Sequence, residues 1–395
     1  MTDPASRSTY VRLSSFYFLY FLVLGTMLPY WSLFLDASGL TAIQIATIFA
    51  ITSAVRIAAP YLWGWLCDHG GRPVFIIRLT SIGALLAFGL IPFMSHGVWI
   101  AAAVAVHTLF WNGILSQYEV VTLNSLRGHY QYYGRIRMWG SVSFIVAVWG
   151  GGFLFDVIDV LYFPWLMIAT LAVVAAGSFS IRDPGGQPPR QTQLSIRPLL
   201  RRPQVLAFIV GCFLIQASHA PYYAFFSLYA EGLGYSRVGL GFLWAIGVFA
   251  EVAVFAFMHH LLRCFSVYRL LLISTWLTVL RWVLTALFAD SVIVLLAAQS
   301  LHAFSYGSFH GAAIEYVRRV FGIAHQGRGQ ALYSAVSFGA GGTIGAIIGG
   351  WLWQSNAQLM FGACAAMAMC CGVIIALWVR DPHALGETST VEERG

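Results

Sequence analysis

Apolar residues fall along this chain in long runs, with no sign of the alternation that marks a half-buried strand. Twelve stretches hold the roughly 20 mostly apolar residues that a bilayer-spanning helix needs. They cover residues 13–35, 42–66, 74–94, 98–124, 135–155, 160–181, 204–230, 238–258, 267–289, 291–317, 328–353 and 357–379. Within each stretch the hydrophobic positions run all round, which favours helices over the strands of an outer-membrane barrel. The first run lies inside a normal span and lacks a small-residue cleavage site, so no cleavable signal sequence is expected.

Composition agrees: 59% of the 395 residues are hydrophobic and only 9% charged, against roughly a quarter charged in soluble domains. All 22 basic residues are Arg. Placing the N-terminus inside sends 19 of them to cytoplasmic loops, tails or helix ends, with Arg237 outside and Arg56 and Arg281 within spans. That bias predicts a multi-pass protein of a bacterial-type inner (plasma) membrane with both termini cytoplasmic. The formal net charge of +7 then reflects orientation in the bilayer, and nucleic acid is not an expected partner. The six cysteines lie in or at the ends of helices without metal-type spacing, so packing is their expected role and no metal or cofactor is expected.

The chain also repeats itself. Ser32-Leu33-Phe34-x-Asp36-x-x-Gly39-x-Thr41 returns as Ser227-Leu228-Tyr229-x-Glu231-x-x-Gly234-x-Ser236, and 227 − 32 = 195. His107 and His302 share that offset, while Gly134-Arg135 and Gly327-Arg328 match at 193. An ordered series of this kind marks an internal repeat. The longest polar interruption, with five prolines and five arginines, falls between the copies. The expected organisation is an N-terminal six-helix half (1–181), a cytoplasmic linker (182–203) and a C-terminal six-helix half (204–395). Two pseudo-symmetric six-helix bundles in an all-α membrane protein are the layout of major facilitator transporters, whose site lies near the bilayer midplane.

Gly64-Trp65-Leu66-Cys67-Asp68-His69-Gly70-Gly71-Arg72-Pro73, between the second and third helices, resembles the major facilitator signature G-x-x-x-D-(R/K)-x-G-R. Gly64, Asp68, Gly71 and Arg72 match and His69 departs from it. The resemblance implies a gating role, with glycines allowing a tight turn. Within that superfamily the whole chain resembles the phenylpropionate permease group of proton symporters. The resemblance is carried by Leu28-Pro29-Tyr30-Trp31-Ser32, Tyr133-Gly134-Arg135-Ile136-Arg137-Met138-Trp139-Gly140-Ser141, Gln216-Ala217-Ser218-His219-Ala220-Pro221-Tyr222-Tyr223 and Arg281-Trp282. It implies uptake of a small aromatic carboxylate with a proton. Small-molecule substrate, protons and the lipid bilayer are the expected partners, and the chain is expected to be a monomer.

An ionisable group at the centre of a membrane helix costs about 2.5–3.5 kcal/mol on insertion scales. Arg56, Glu119, Glu251, Arg281 and Glu315 therefore need an account. Arg56 and Glu251 occupy equivalent positions of the two copies, since 251 − 56 = 195, and Arg281 has no charged equivalent. A Glu on the eighth helix, an Arg on the ninth and a His on the tenth also resemble the proton-coupling constellation of galactoside symporters, here Glu251, Arg281 and His302 or His310. Burial and a neighbouring guanidinium push the proton affinity of a carboxyl in opposite directions, which suits loading and release of a proton. A plain Arg–Glu ion pair joining helices is the competing reading. Glu119 and Glu315 are candidates either for a proton site or for ion pairs closing the cytoplasmic gate.

Arg281 or Arg56 would hold a carboxylate substrate, and His219 could donate to it or be satisfied by a backbone carbonyl. Tyr30, Trp31, Trp111, Tyr222, Tyr223 and Tyr306 are candidate stacking partners for a phenyl ring. Ordinary packing must explain several of them in a chain that is 15% aromatic. Symport of a neutral sugar or nucleoside, and efflux, are the alternative functions. The resemblance disfavours efflux, because antiporters of that superfamily typically carry a Gly-Pro element in the fifth helix, where this chain has Gly150-Gly151-Gly152 with no proline. An enzyme is disfavoured too, because no H-E-x-x-H, Gly-x-Ser-x-Gly or phosphate loop is present.

Overall fold

The structure is a computed structural model, and it describes residues 7–70, 72–126, 129–185 and 196–380. Twelve helices in it are long and apolar enough to cross a membrane, and no strand occurs among the described residues. In order they span Arg7–Ala37, Ala42–Cys67, Pro73–Phe93, Gly97–Leu126, Tyr133–Val157, Val160–Ser178, Pro203–Gly232, Arg237–Cys264, Val267–Phe288, Val292–Gly322, His325–Trp353 and Ala357–Trp378. Several run a turn past their apolar limits, because a helix ends where its caps are, whereas hydropathy marks only the lipid. This is the major facilitator fold.

The repeated motif shows why both copies turn alike. Gly39 and Gly234 adopt positive φ of 81° and 87°, which a side chain disfavours. In the first copy Gly39 N–H bonds to Asp36 O and Leu40 N–H to Leu35 O; in the second Gly234 bonds to Glu231 and Tyr235 to Ala230. Each is the same six-to-one closure of a helix C-terminus. The next helix then starts on a hydroxyl cap, with Thr41 Oγ1 accepting from Gln44 N at 3.4 Å and Ser236 Oγ from Gly239 N at 3.1 Å. One sequence element thus stops one helix and starts the next, twice.

The chain divides into two compact units, each taken here by itself. The first comprises the described residues of Met1–Arg190, Tyr223–Ala245 and Ala346–Gln354. In it the first helix packs along the fifth and sixth, and the third along the fourth and sixth. Gly25 permits the first contact, since a Cβ there would lie 2.6 Å from Phe144 O. At one end Asp156 accepts from Arg237 N at 2.9 Å and Val238 N at 3.4 Å, capping the eighth helix, while Arg237 Nη1 donates to Phe155 O at 2.7 Å.

The second unit comprises the described residues of Gln191–Tyr222, Ile246–Gly345 and Ser355–Gly395. Here the ninth helix packs along the twelfth and the tenth. The glycine ladder of the eleventh helix meets the seventh. A Cβ on Gly341 would lie 2.7 Å from Phe213 O, and one on Gly345 would overlap Ala217 O. Lacking a hydrophobic drive between helices in lipid, such close approach supplies dispersion contact instead. Of the expected linker, residues 186–195 lie outside the described residues.

Candidate functional site

The ninth helix starts on Ser266, whose side chain accepts from Arg269 N, and carries Arg281 fully buried in the second unit. The tenth helix runs as an α-helix over Val292–Ser300 and then widens into a π-helix over Ala303–Ser308. Such wide turns recur at functional sites; Ser305 within this one, with Gln299 and His302 just before it, meets the arginine. Arg281 Nη1 lies 3.0 Å from both His302 Nδ1 and Ser305 Oγ, and Nη2 lies 3.4 Å from Gln299 Oε1. Its Cζ sits 4.4 Å from the Tyr222 and Trp282 ring centroids. Tyr222 OH donates to Gln299 Oε1 at 2.8 Å.

This geometry dictates a protonation state. A guanidinium carries only donors, so His302 Nδ1 accepts, and the neutral ring holds its proton on Nε2. Nε2 lies 3.4 Å from Glu251 Oε2 on the eighth helix. Arg281, His302 and Glu251 therefore form a directed chain in which the imidazole is the middle member. The equivalent histidine of the first copy behaves oppositely: His107 Nδ1 donates to Ala84 O at 2.9 Å. One repeat position thus holds a packing histidine in one copy and a charge-linked one in the other.

His219 joins the same cluster from the seventh helix. Its Nδ1–H donates to Ile215 O at 2.8 Å, leaving Nε2 to accept from Ser305 Oγ–H at 3.3 Å. Of the two roles expected of His219, the backbone-carbonyl bond is the one seen, and the other nitrogen of the neutral ring faces the polar cluster as an acceptor. Trp282 Nε1 donates to Ser218 Oγ at 3.2 Å and fixes the floor of the site. Along the tenth helix His302, Tyr306 and His310 stack in a ladder, with centroids 5.4 and 5.9 Å apart and interplanar angles of 13° and 8°. His310 Nδ1 meets Tyr333 OH of the eleventh helix at 2.9 Å. A small cavity beside the ladder is lined by His219, Ser305, Tyr306, His310, Tyr333 and Phe338, among others.

The remaining expected residues fall elsewhere. In the first unit Arg56 is exposed and close enough to Tyr20 for an electrostatic interaction. Trp111 stacks on Tyr20 with centroids 4.3 Å apart, and Tyr133 OH donates to Glu119 Oε1 at 3.3 Å. Tyr30 is fully buried with its OH donating to Val148 O, and Trp31 packs among Phe34, Phe88 and Phe163. Both are core residues here, because the first helix turns them inward against the fifth and sixth. Tyr223 stacks on Trp244, 6.3 Å away. Glu315 is held by Arg318 and Arg319 of its own helix at 2.6 Å, a local pair one turn on.

Of the signature segment, Gly64 lies within the second helix and Arg72 just before the third, with Pro73 in its first turn. Gly71 and the side chain of Asp68 lie outside the described residues. Among the described residues no group of His, Cys, Asp and Glu could hold a metal.

Sequence reasoning passed over Gln299, Ser305 and Tyr333. The signal for the first two was the spacing 299-302-305, three polar residues one turn apart that follow the apolar run 292–298. Tyr333 carried no such signal, since only the packing of the eleventh helix on the tenth brings it to His310.

The family model described as "MFS_1 like family" matches residues 10–363. A "Probable 3-phenylpropionic acid transporter" of Escherichia coli (strain K12) is 30% identical over 363 residues, covering 89% of this chain and 93% of that protein. A "Maltose permease" of Geobacillus stearothermophilus is 28% identical over 394 residues and covers 97% of each. Among solved structures, the crystal structure of the nucleoside transporter NupG superposes with a TM-score of 0.84 at 14% identity, covering 93% of this chain and 98% of that one.

Proposed function

The chain belongs to the MFS_1 like family of membrane transporters, and from that premise we propose that it takes up a small aromatic or organic carboxylate with a proton, by alternating access. The observation that carries the reading is the chain Arg281–His302–Glu251. While the guanidinium occupies His302 Nδ1, that nitrogen cannot take a proton. A substrate carboxylate competes for the same N–H donors. Drawing Arg281 away frees Nδ1, and the imidazolium that then forms is matched by the Glu251 carboxylate. Substrate and proton thus favour each other's binding, which is what symport requires.

In this reading Arg281 anchors the carboxylate, the Gln299 amide orients it, His219 holds Ser305 beside it, and Glu251 with His302 carries the proton. Tyr306 and Tyr222 are the aromatic rings beside Arg281 and His302, and 3-phenylpropionate is the first substrate to test, given the name of the Escherichia coli relative. Arg56 and Glu119 are the charged candidates of the first unit, His310 is the alternative proton site, and Glu315 and the signature segment (Gly64, Asp68, Gly71, Arg72) belong to gating. The halves 1–181 and 204–395 joined by 182–203 are the moving parts, and both termini are cytoplasmic.

The test is initial uptake of labelled 3-phenylpropionate into proteoliposomes, over protein-free vesicles, with and without an inward proton gradient. Stimulation by the gradient is expected, and its absence refutes coupling. A neutral sugar or nucleoside is the second reading, favoured by the amide and hydroxyl groups of Gln299, Ser305 and Tyr222 beside Arg281. Competition separates the two, because an acid anchored on Arg281 loses affinity as its methyl ester and a sugar site ignores both.

A further inference from the structure

Arginines expected on the cytoplasmic side gather at one place in the first unit. Arg12 of the first helix, Arg72 and Arg78 at the start of the third, and Arg182 just past the sixth line an open pocket of about 790 Å³. An adjoining recess shares Ser8, Arg12 and Ser180 with it and adds Arg7. Among the described lining residues Asp183 is the one acid, so they carry a charge of 4 − 1 = +3. One oxygen of that acid is turned to Gly185 N at 3.0 Å.

Like charges collected this way repel, and Arg12 and Arg182 are close enough to do so. Arg78 is nonetheless anchored. Nη2 donates to Ile181 O at 3.3 Å, the guanidinium lies 5.3 Å over the Phe179 ring, and its buried Nε has no acceptor among the described residues. A guanidinium held in place, with three more lining the same open pocket, fits a bound oxyanion. The flanks say what the oxyanion is attached to. Phe75 and Phe179 line the same pocket and are 60% and 59% exposed, beside helices that lie in lipid. Rings in that position suit acyl chains better than they suit water.

We propose that this pocket binds the phosphate group of an anionic glycerophospholipid, with Arg78 as the anchoring donor and Arg12 and Arg182 completing the cradle. The planar guanidinium fork matches two phosphate oxygens, and basic pockets between helices on the cytoplasmic side are suited to such headgroups. The site is separate from the Arg281 cluster and does not depend on the transport reading.

The test follows thermal unfolding of the purified full-length protein in neutral detergent by tryptophan fluorescence. Short-chain phosphatidylglycerol, short-chain phosphatidylcholine and inorganic phosphate are titrated in turn. A saturable rise in Tm with phosphatidylglycerol, absent with phosphatidylcholine, is expected. Arg78→Gln and, separately, Arg182→Gln should each weaken it roughly tenfold or more, the loss of one charge-assisted hydrogen bond. Arg182 is exposed beyond the helix end, so that variant tests the site even if Arg78→Gln fails to fold. Equal response to both lipids, or phosphatidylglycerol affinity unchanged in Arg182→Gln, overturns the site. Saturation by inorganic phosphate with no response to phosphatidylglycerol overturns the lipid assignment in favour of a soluble phosphate.

Discussion

Replacing Glu251 by Gln separates proton coupling from substrate binding. The Gln side chain has the same shape, and its Oε1 accepts from His302 Nε2–H across the same 3.4 Å. A hydrogen bond to a charged group contributes about 1.5–3 kcal/mol and a neutral one about 0.5–1.5 kcal/mol. The side chain of Glu251 is 18% exposed, so water shares the load and the stability change should stay within about 1 kcal/mol. The variant is therefore folded, and Arg281 keeps its contacts with Ser305 and Gln299. What is lost is the negative charge that balances an imidazolium. An inward gradient of one pH unit stores about 1.4 kcal/mol per proton, enough for about tenfold accumulation. In Glu251→Gln the gradient-stimulated part of the initial rate should fall to the level of protein-free vesicles, a control needed because the free acid crosses lipid unaided. Solute counterflow without a gradient should stay within about twofold of the parent, since binding is untouched. Unchanged gradient stimulation in Glu251→Gln would remove Glu251 from the coupling mechanism.

Arg281→Gln removes the anchoring donors and should weaken carboxylate binding by roughly 10- to 150-fold, the equivalent of about 1.5–3 kcal/mol; binding titrations in which acid and methyl ester are weakened equally would contradict the anchor. Tyr306→Ala should cost an aromatic acid about 0.5–1.5 kcal/mol relative to an aliphatic one of equal length, read as a change in their affinity ratio. Gly345→Val forces a side chain into the Ala217 backbone and should destabilise the second unit by at least about 1–3 kcal/mol, seen as a lower Tm, whereas Gly362, with open space around its Cβ position, should accept Ala with little change.

Hydropathy and repetition made much of this protein readable in one dimension. Span positions follow from residue composition over about 20 residues, and the paired turns follow from Gly39 and Gly234, whose lack of a side chain is a local property. Arg281 also stood out with Arg56, Glu119, Glu251 and Glu315, because a charge inside a span is costly whatever surrounds it. Even the Glu315 pair was local, its arginines sitting three and four residues on.

Tertiary structure alone decided which of these residues meet. His107 and His302 occupy one repeat position, yet one faces the Ala84 carbonyl and the other a guanidinium. Gln299 and Ser305 mark the surroundings of His302 as polar where Val104 and Phe110 flank His107, but that a guanidinium meets His302 depends on the neighbouring helix and its rotation. Tyr30 and Trp31, candidates either for stacking on a ring or for packing, are buried in the first unit for the same reason. The π-helix after His302, and the approach of the eleventh helix that brings Tyr333 to His310, are likewise products of packing. In lipid every helix satisfies its own backbone, so its sequence says that it spans. The direction in which each polar side chain points is chosen by the few close contacts between helices.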